Sequence, residues 1–142
     1  MVIKQLSVSL DNTPGTLSTI SEILGREGVN IRAISVADTS DISTVRFVVD
    51  DPAKAKNILV GNGHTPKETE VLAVEIPDHP GAVNAVLKPL KAANINVHYL
   101  YPHLGRIDTD AIVILGVDRT EEAQMILAQN WVKTLGHEVY NI

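Results

Sequence analysis

A 66-residue internal repeat constrains what this chain can fold into more than any other feature. Leu10-Asp11-Asn12-Thr13-Pro14-Gly15-Thr16-Leu17 is echoed by Ile76-Pro77-Asp78-His79-Pro80-Gly81-Ala82-Val83. At the same offset Leu6 falls on Leu72, Val8 on Val74, Leu24 on Leu90, Val29-Asn30-Ile31 on Ile95-Asn96-Val97, and Ile34 on Leu100. The period is too long for common solenoid units and suits two complete small domains. The boundaries expected from it are 1–69 and 70–142.

Each half reads as the same succession of elements. Ile3, Leu6, Val8 and Leu10 approach strand alternation across Met1 to Leu10, and the Asn12-Thr13-Pro14-Gly15 cluster ends that strand. Pro14 suits a first helical position, Leu17, Ile20 and Leu24 form a helical stripe, and Gly28 supplies a left-handed stop. Val29 to Val36 and Ser43 to Val49 read as a hairpin about Asp38-Thr39-Ser40-Asp41. Asp51 and Pro52 open a second helix through Leu59, closed by Gly61 and Gly63, and Thr65 to Thr69 reads as a short fourth strand feeding Val71 to Ile76. The second half follows with a helix over Ala82 to Ala93, strands over Ile95 to Tyr101 and Ala111 to Val117, a helix opened by the capping-box spacing Asp118 to Glu121, and a strand over Val132 to Leu135. This predicts an α+β protein of two ferredoxin-like βαββαβ units, each an antiparallel sheet with helices on one face. Pro89 is expected to kink or shorten its helix, and Glu138 to Ile142 to add an edge strand.

Composition narrows the chemistry. With 44% hydrophobic and 20% charged residues the chain is globular, and zero cysteines exclude disulfides and thiolate metal sites. No stretch approaches the ~20 apolar residues of a membrane span, so a soluble, cytoplasmic protein without membrane partners is expected. The net charge of −5, with scattered basic residues, argues against nucleic acid. His64, His79, His98, His103 and His137 form no metal-ligand spacing, and Gly61-Asn62-Gly63 is no phosphate loop. No serine elbow or ordered nucleophile set is present, so no catalytic, metal or cofactor site is expected. His98 and His103, which bracket Tyr99 and Tyr101, read either as surface histidines among packed tyrosines or as the lining of a pocket.

The strand-to-helix turns are the most informative places. A helix N-terminus presents unpaired N–H groups and partial positive charge, and glycine permits close approach to the backbone. Either Asn12 and Asp78 cap plain turns, or the turns accept a small carboxylate, with Asp78 able to hold an ammonium group. Asn30 and Asn96 begin the next strand in each half and are expected near the same end as the turns. Each amide either caps the preceding helix end or reaches a ligand.

Both halves resemble ACT domains, small regulatory modules that bind amino acids beside metabolic enzymes. Asn12-Thr13-Pro14-Gly15 and Gly28-Val29-Asn30-Ile31 carry the likeness in the first half. Asp78-His79-Pro80-Gly81 and Asn94-Ile95-Asn96-Val97 carry it more loosely in the second, which lacks the helix-ending glycine. The resemblance covers nearly the whole chain and implies a stand-alone tandem ACT protein with an amino-acid effector held between units. The ligand-binding residues it implies are Asp11, Asn12, Gly15, Thr16, Leu17 and Asn30, with Asp78, His79, Gly81, Ala82, Val83 and Asn96. It also implies that occupancy is signalled to a metabolic enzyme or regulator. Pro14-Gly15-Thr16-Leu17-Ser18 is similar as well to the small subunit of acetohydroxyacid synthase, which implies a dissociable regulatory subunit as an alternative. The second intact Pro-Gly turn argues against it. A small ferredoxin-like enzyme and a ligand-free scaffold remain as further classes, because fold does not determine function.

Ala111 to Val117 is apolar on both faces, so the sheet face away from the helices is expected to be covered by another module or another chain. A homodimer is the expected assembly.

Overall fold

The computed structural model describes residues 2–142, and Met1, with which the predicted first strand and first domain begin, lies outside the described residues. The chain divides into two compact units, Lys4–Thr69 and Glu70–Ile142, the latter including Val2 and Ile3. The first runs β1 (Ile3–Asp11), α1 (Thr16–Arg26), β2 (Ile31–Asp38), β3 (Ile42–Val49), α2 (Pro52–Gly61) and the start of β4 (Lys67–Ile76). The second takes the rest of β4, then α3 (Ala82–Ala92), β5 (Val97–Ile107), β6 (Asp110–Val117), α4 (Thr120–Gln129), β7 (Lys133–Leu135) and a 3-10 helix, His137–Tyr140.

Within each unit the strands pair antiparallel in the same order. β3 lies between β1 and β2, and β6 lies between β4 and β5, with β7 on the other side of β4. The separate short fourth strand expected over Thr65 to Thr69 is instead the beginning of one continuous ten-residue strand, β4. Its first residues close the N-terminal unit beside β1, where Lys4 Nζ lies 3.8 Å from Glu68.

Alternation places Leu6, Val8 and Leu10 of β1 on one face with Val45, Phe47 and Val49 of β3. They share a single core cluster with Ile20 and Leu24 of α1 and Ala55 and Leu59 of α2. Leu72, Val74 and Ile76 meet Val86, Leu90 and Leu127 in the equivalent cluster of the second unit. Both helices of a unit thus cover the same sheet face. On the opposite face of β6, Ile112 and Ile114 are already at most 1% exposed within the chain itself. The apolar character of β6 therefore does not by itself call for a homodimer.

The helix ends explain much of the local sequence. Glu27 caps α1, Gly28 follows at φ 78°, and the Gly28 and Val29 amides donate to Gly25 and Leu24 carbonyls at 3.0 Å. This is the Schellman ending. In the second unit Asn94, at φ 58°, takes the place of the glycine, and Asn94 and Ile95 donate to Lys91 and Leu90. Asparagine tolerates the left-handed region, so the missing glycine changes nothing in the geometry. Gly63 and Trp131 end α2 and α4 in the same way, at φ 85° and 64°.

Several expectations are corrected. Pro14 is not the first helical residue: Gly15, at φ 89°, precedes α1, and left-handed backbone cannot stand inside a helix. Pro89 does not shorten α3, which keeps the eleven residues of α1. The fully buried Leu90 and nearly buried Val86 hold the helix to the core on both sides of the missing N–H. Asp118 forms no capping box; its carboxylate accepts the Asn96 backbone N–H at 3.1 Å, and Arg119 precedes α4. Glu138 to Ile142 is not an edge strand. It winds through the 3-10 helix because Val139 is fully buried and its carbonyl accepts His103 Nε2–H at 2.7 Å.

Candidate functional site

The N-terminal site begins with a type II turn. Pro14 and Gly15 are its central residues, Gly15 sits at φ 89°, ψ −11°, and Thr16 N–H reaches the Thr13 carbonyl at 3.4 Å. Proline presets the first central torsion, and glycine supplies the positive φ that the second requires. The turn is pinned to the β2–β3 hairpin, where Asn12 N–H donates to the Asp41 carbonyl at 2.9 Å and Asn12 Nδ2 to the Thr39 carbonyl at 3.1 Å. Asn12 is therefore neither a plain helix cap nor a free hand for a ligand; it fixes the turn. Thr16 Oγ1 points back to the Asp11 carbonyl at 2.8 Å and also lies 3.1 Å from that of Thr13.

No side chain caps α1, so the Leu17 and Ser18 amides have no acceptor among the described residues. At this helix start Thr16 and Leu17 line a cavity of 230 Å³. Leu10, Val36 and Val45 form its apolar wall, Asn12, Thr13, Gly15, Thr16 and Leu17 its turn side, and Asp38 and Ser43 its far side. Val36, Asp38, Ser43 and Val45 were not among the predicted site residues. Only the strand register brings them here: Leu10 pairs with Ser43, which in turn pairs with Asp38. Asp11, predicted at the site, does not line this cavity.

The second unit repeats the turn, with Gly81 at φ 87°, ψ −4° and Ala82 N–H donating to the His79 carbonyl at 3.2 Å. Its surroundings differ. Asp78 lies 3.8 Å from the Arg106 guanidinium, and His79 Nδ1 is within 3.0 Å of the Pro80 carbonyl. An open polar cleft here involves Asp78 and His79 together with Arg106, Asp108, Thr109 and Asp110, but not Gly81, Ala82 or Val83. Against Val83 and Val86 the remaining cavity is apolar and measures only 10 Å³.

The asparagines do not join the turns of their own units. The turn stands level with the end of β2, because Leu10 pairs with Ser43 and Ser43 with Asp38. Asn30 stands just before the start of β2, a strand length away, roughly 23 Å at the usual rise. Asn96 is likewise at the far end of β5 from Arg106 and the Asp78 turn. The expectation that turn and asparagine lie near one end fails because the helix returns the chain to the opposite end before the next strand begins. The backbone N–H groups of Asn30 and Asn96 donate to the Asp50 and Asp118 carboxylates at 2.9 and 3.1 Å. Asn96 further lies in a cavity of 390 Å³ with Lys91, Asn94 and apolar Leu87, and its Nδ2 is 3.3 Å from His98 Nδ1. His98 is exposed, while His103 is buried, accepting Gly105 N–H at Nδ1 and donating from Nε2 to Val139.

Among the described residues no three His, Cys, Asp or Glu side chains are grouped so as to hold a metal ion, and no helix is long and apolar enough to cross a membrane.

A family model described as an ACT domain pair matches residues 1–139. Protein BT0572 from Bacteroides thetaiotaomicron is similar over 100% of this chain and 98% of its own, at 30% identity and a TM-score of 0.92. The ligand-free regulatory subunit of aspartate kinase from Thermus thermophilus is similar over 90% of this chain and 92% of its own, at 15% identity and a TM-score of 0.64. The corresponding subunit from Thermus flavus gives 16% identity over 90% and 92%, with a TM-score of 0.61. No curated protein matches.

Proposed function

The chain belongs to the ACT domain pair family, and from that premise we propose that it is a non-catalytic regulatory module whose occupancy by an amino acid is signalled to a metabolic enzyme. The observation that carries this reading is the uncapped start of α1, opening through a Pro-Gly turn onto a cavity of 230 Å³. Free N–H groups and the helix dipole favour a carboxylate there, and the adjoining apolar wall favours the body of an amino acid. The likeness to aspartate kinase regulatory subunits supports an enzyme of amino-acid metabolism as the receiver of the signal. For signalling, the effector must bind one conformation better than another, since equal affinity shifts no equilibrium.

Thermal denaturation in the presence of each of the twenty amino acids tests the reading. A ligand at ~100 times its dissociation constant stabilises the folded chain by about 2.7 kcal/mol, which appears as a rise in Tm. At least one amino acid should produce that rise. A flat result with all twenty would leave a duplicated scaffold without an effector.

A further inference from the structure

We infer that each chain carries a single effector site, the N-terminal cavity, and that it takes an α-amino acid with a compact aliphatic side chain whose ammonium group is held by Asp38. This rests on the regulatory reading above and narrows it.

Three features of the N-terminal cavity point to such a ligand. Ser43 is 9% exposed, yet its hydroxyl lines the cavity without a hydrogen-bond partner among the described residues. An unpaired hydroxyl on a largely buried residue at a cavity wall offers a partner to a polar ligand atom. Asp38, directly across from Ser43, lines the same cavity with a carboxylate that forms no ion pair or hydrogen bond among the described residues. The Leu17 and Ser18 amides supply the opposite electrostatic sign. An amino acid bridges these groups, its carboxylate on the amides and its ammonium on Asp38. Between them lie Leu10, Leu17, Val36 and Val45, with no basic side chain to match an acidic ligand and no second carboxylate to match a basic one.

The second unit keeps the Pro-Gly turn and an uncapped helix start but not the side chains that face them in the first. Register equates Ser43, opposite Leu10, with Ala111, opposite Ile76, so a methyl stands where the hydroxyl was. Arg106 pairs with Ala111 where Asp38 pairs with Ser43, so the carboxylate has become a guanidinium. Asp78, in the place of Asn12, lies 3.8 Å from that guanidinium, so the two charges face each other rather than a ligand. Beside Val83 only 10 Å³ remains, roughly one water molecule, and the open 580 Å³ cleft at Asp78 and Arg106 is lined by charged and polar side chains and Pro77, with no counterpart of the Leu10, Val36 and Val45 wall.

Calorimetric titration of the full chain with L-valine, L-leucine, L-isoleucine, L-lysine and L-aspartate tests this. The expected result is one site per chain for an aliphatic amino acid, weakened about tenfold or more by Asp38→Asn and also weakened by Ser43→Ala, with affinity unchanged in Asp78→Asn and Arg106→Gln. Asp38 is exposed and its amide is isosteric, and Asp38→Glu should restore part of the affinity, which separates ligand contact from misfolding. Two sites per chain, preference for lysine or aspartate, or undiminished binding in Asp38→Asn would overturn the inference while leaving an amino-acid module standing. Absence of binding by all five, together with a flat thermal screen of all twenty amino acids, would overturn both.

Discussion

Four residues hold the left-handed backbone that ends a helix, and they differ in how readily they hold it: Gly28, Gly63, Asn94 and Trp131. A Cβ in that region costs roughly 1–2 kcal/mol, less for asparagine. Trp131 meets that cost with a bulky side chain that is 96% exposed and therefore recovers almost nothing by burial. Trp131→Gly should raise stability by about 1 kcal/mol and Gly63→Ala should lower it by a similar amount. A Cβ at Gly63 meets nothing within 4 Å, so that loss is conformational. Urea denaturation followed by circular dichroism measures both, since the first variant removes the single tryptophan. At this scale the sequence was informative wherever a residue type has one backbone use. The Pro-Gly turns and Gly28 were legible, whereas Asn94 does not announce a helix stop, because asparagine has several uses. Asn30 and Asn96 misled for a related reason: an amide beside apolar residues shows that a partner is needed, not at which end of the sheet it stands.

The strands and helices were legible because each carries one buried face, and alternation or a helical stripe records it. The C-terminal segment carries no such period. Its 3-10 course depends on Val139 entering the core and on the His103 bond, a contact between residues far apart in sequence. Gly105 is part of the same fit, since a Cβ there would lie 2.7 Å from the Ile142 carbonyl oxygen. Ending the chain at Gly136 should therefore cost about 2–4 kcal/mol, from the lost valine burial and the unpaired His103. Chemical denaturation of the shortened chain checks this, and an unchanged midpoint would show the segment to be passive. The cavity was half legible for the same physical reason. Its turn side is local in sequence, but Asp38 and Ser43 reach it only through strand register, and a repeat does not announce which hairpin residues face which turn.

At the scale of the whole molecule the repeat was plain, yet its meaning changes at β4. Lys67–Thr69 completes one compact unit and Glu70–Ile76 founds the other within a single strand. Side chains alternate with a period of two, so one added residue turns everything beyond it to the opposite face. A glycine inserted between Thr69 and Glu70 should cost at least about 2 kcal/mol, through displaced Leu72, Val74 and Ile76 or a forced bulge. The same insertion between Asp108 and Thr109, in the β5–β6 turn, should change stability by less than about 1 kcal/mol. Thermal unfolding of the two variants compares them directly, and equal losses would show that β4 yields as easily as a loop. Duplicated proteins commonly keep a seam of free chain where recombination can trim, lengthen or exchange a copy. In this one the seam has been woven shut, so a gene that inherits either copy alone inherits half a strand with it, and the pair is bound to evolve together.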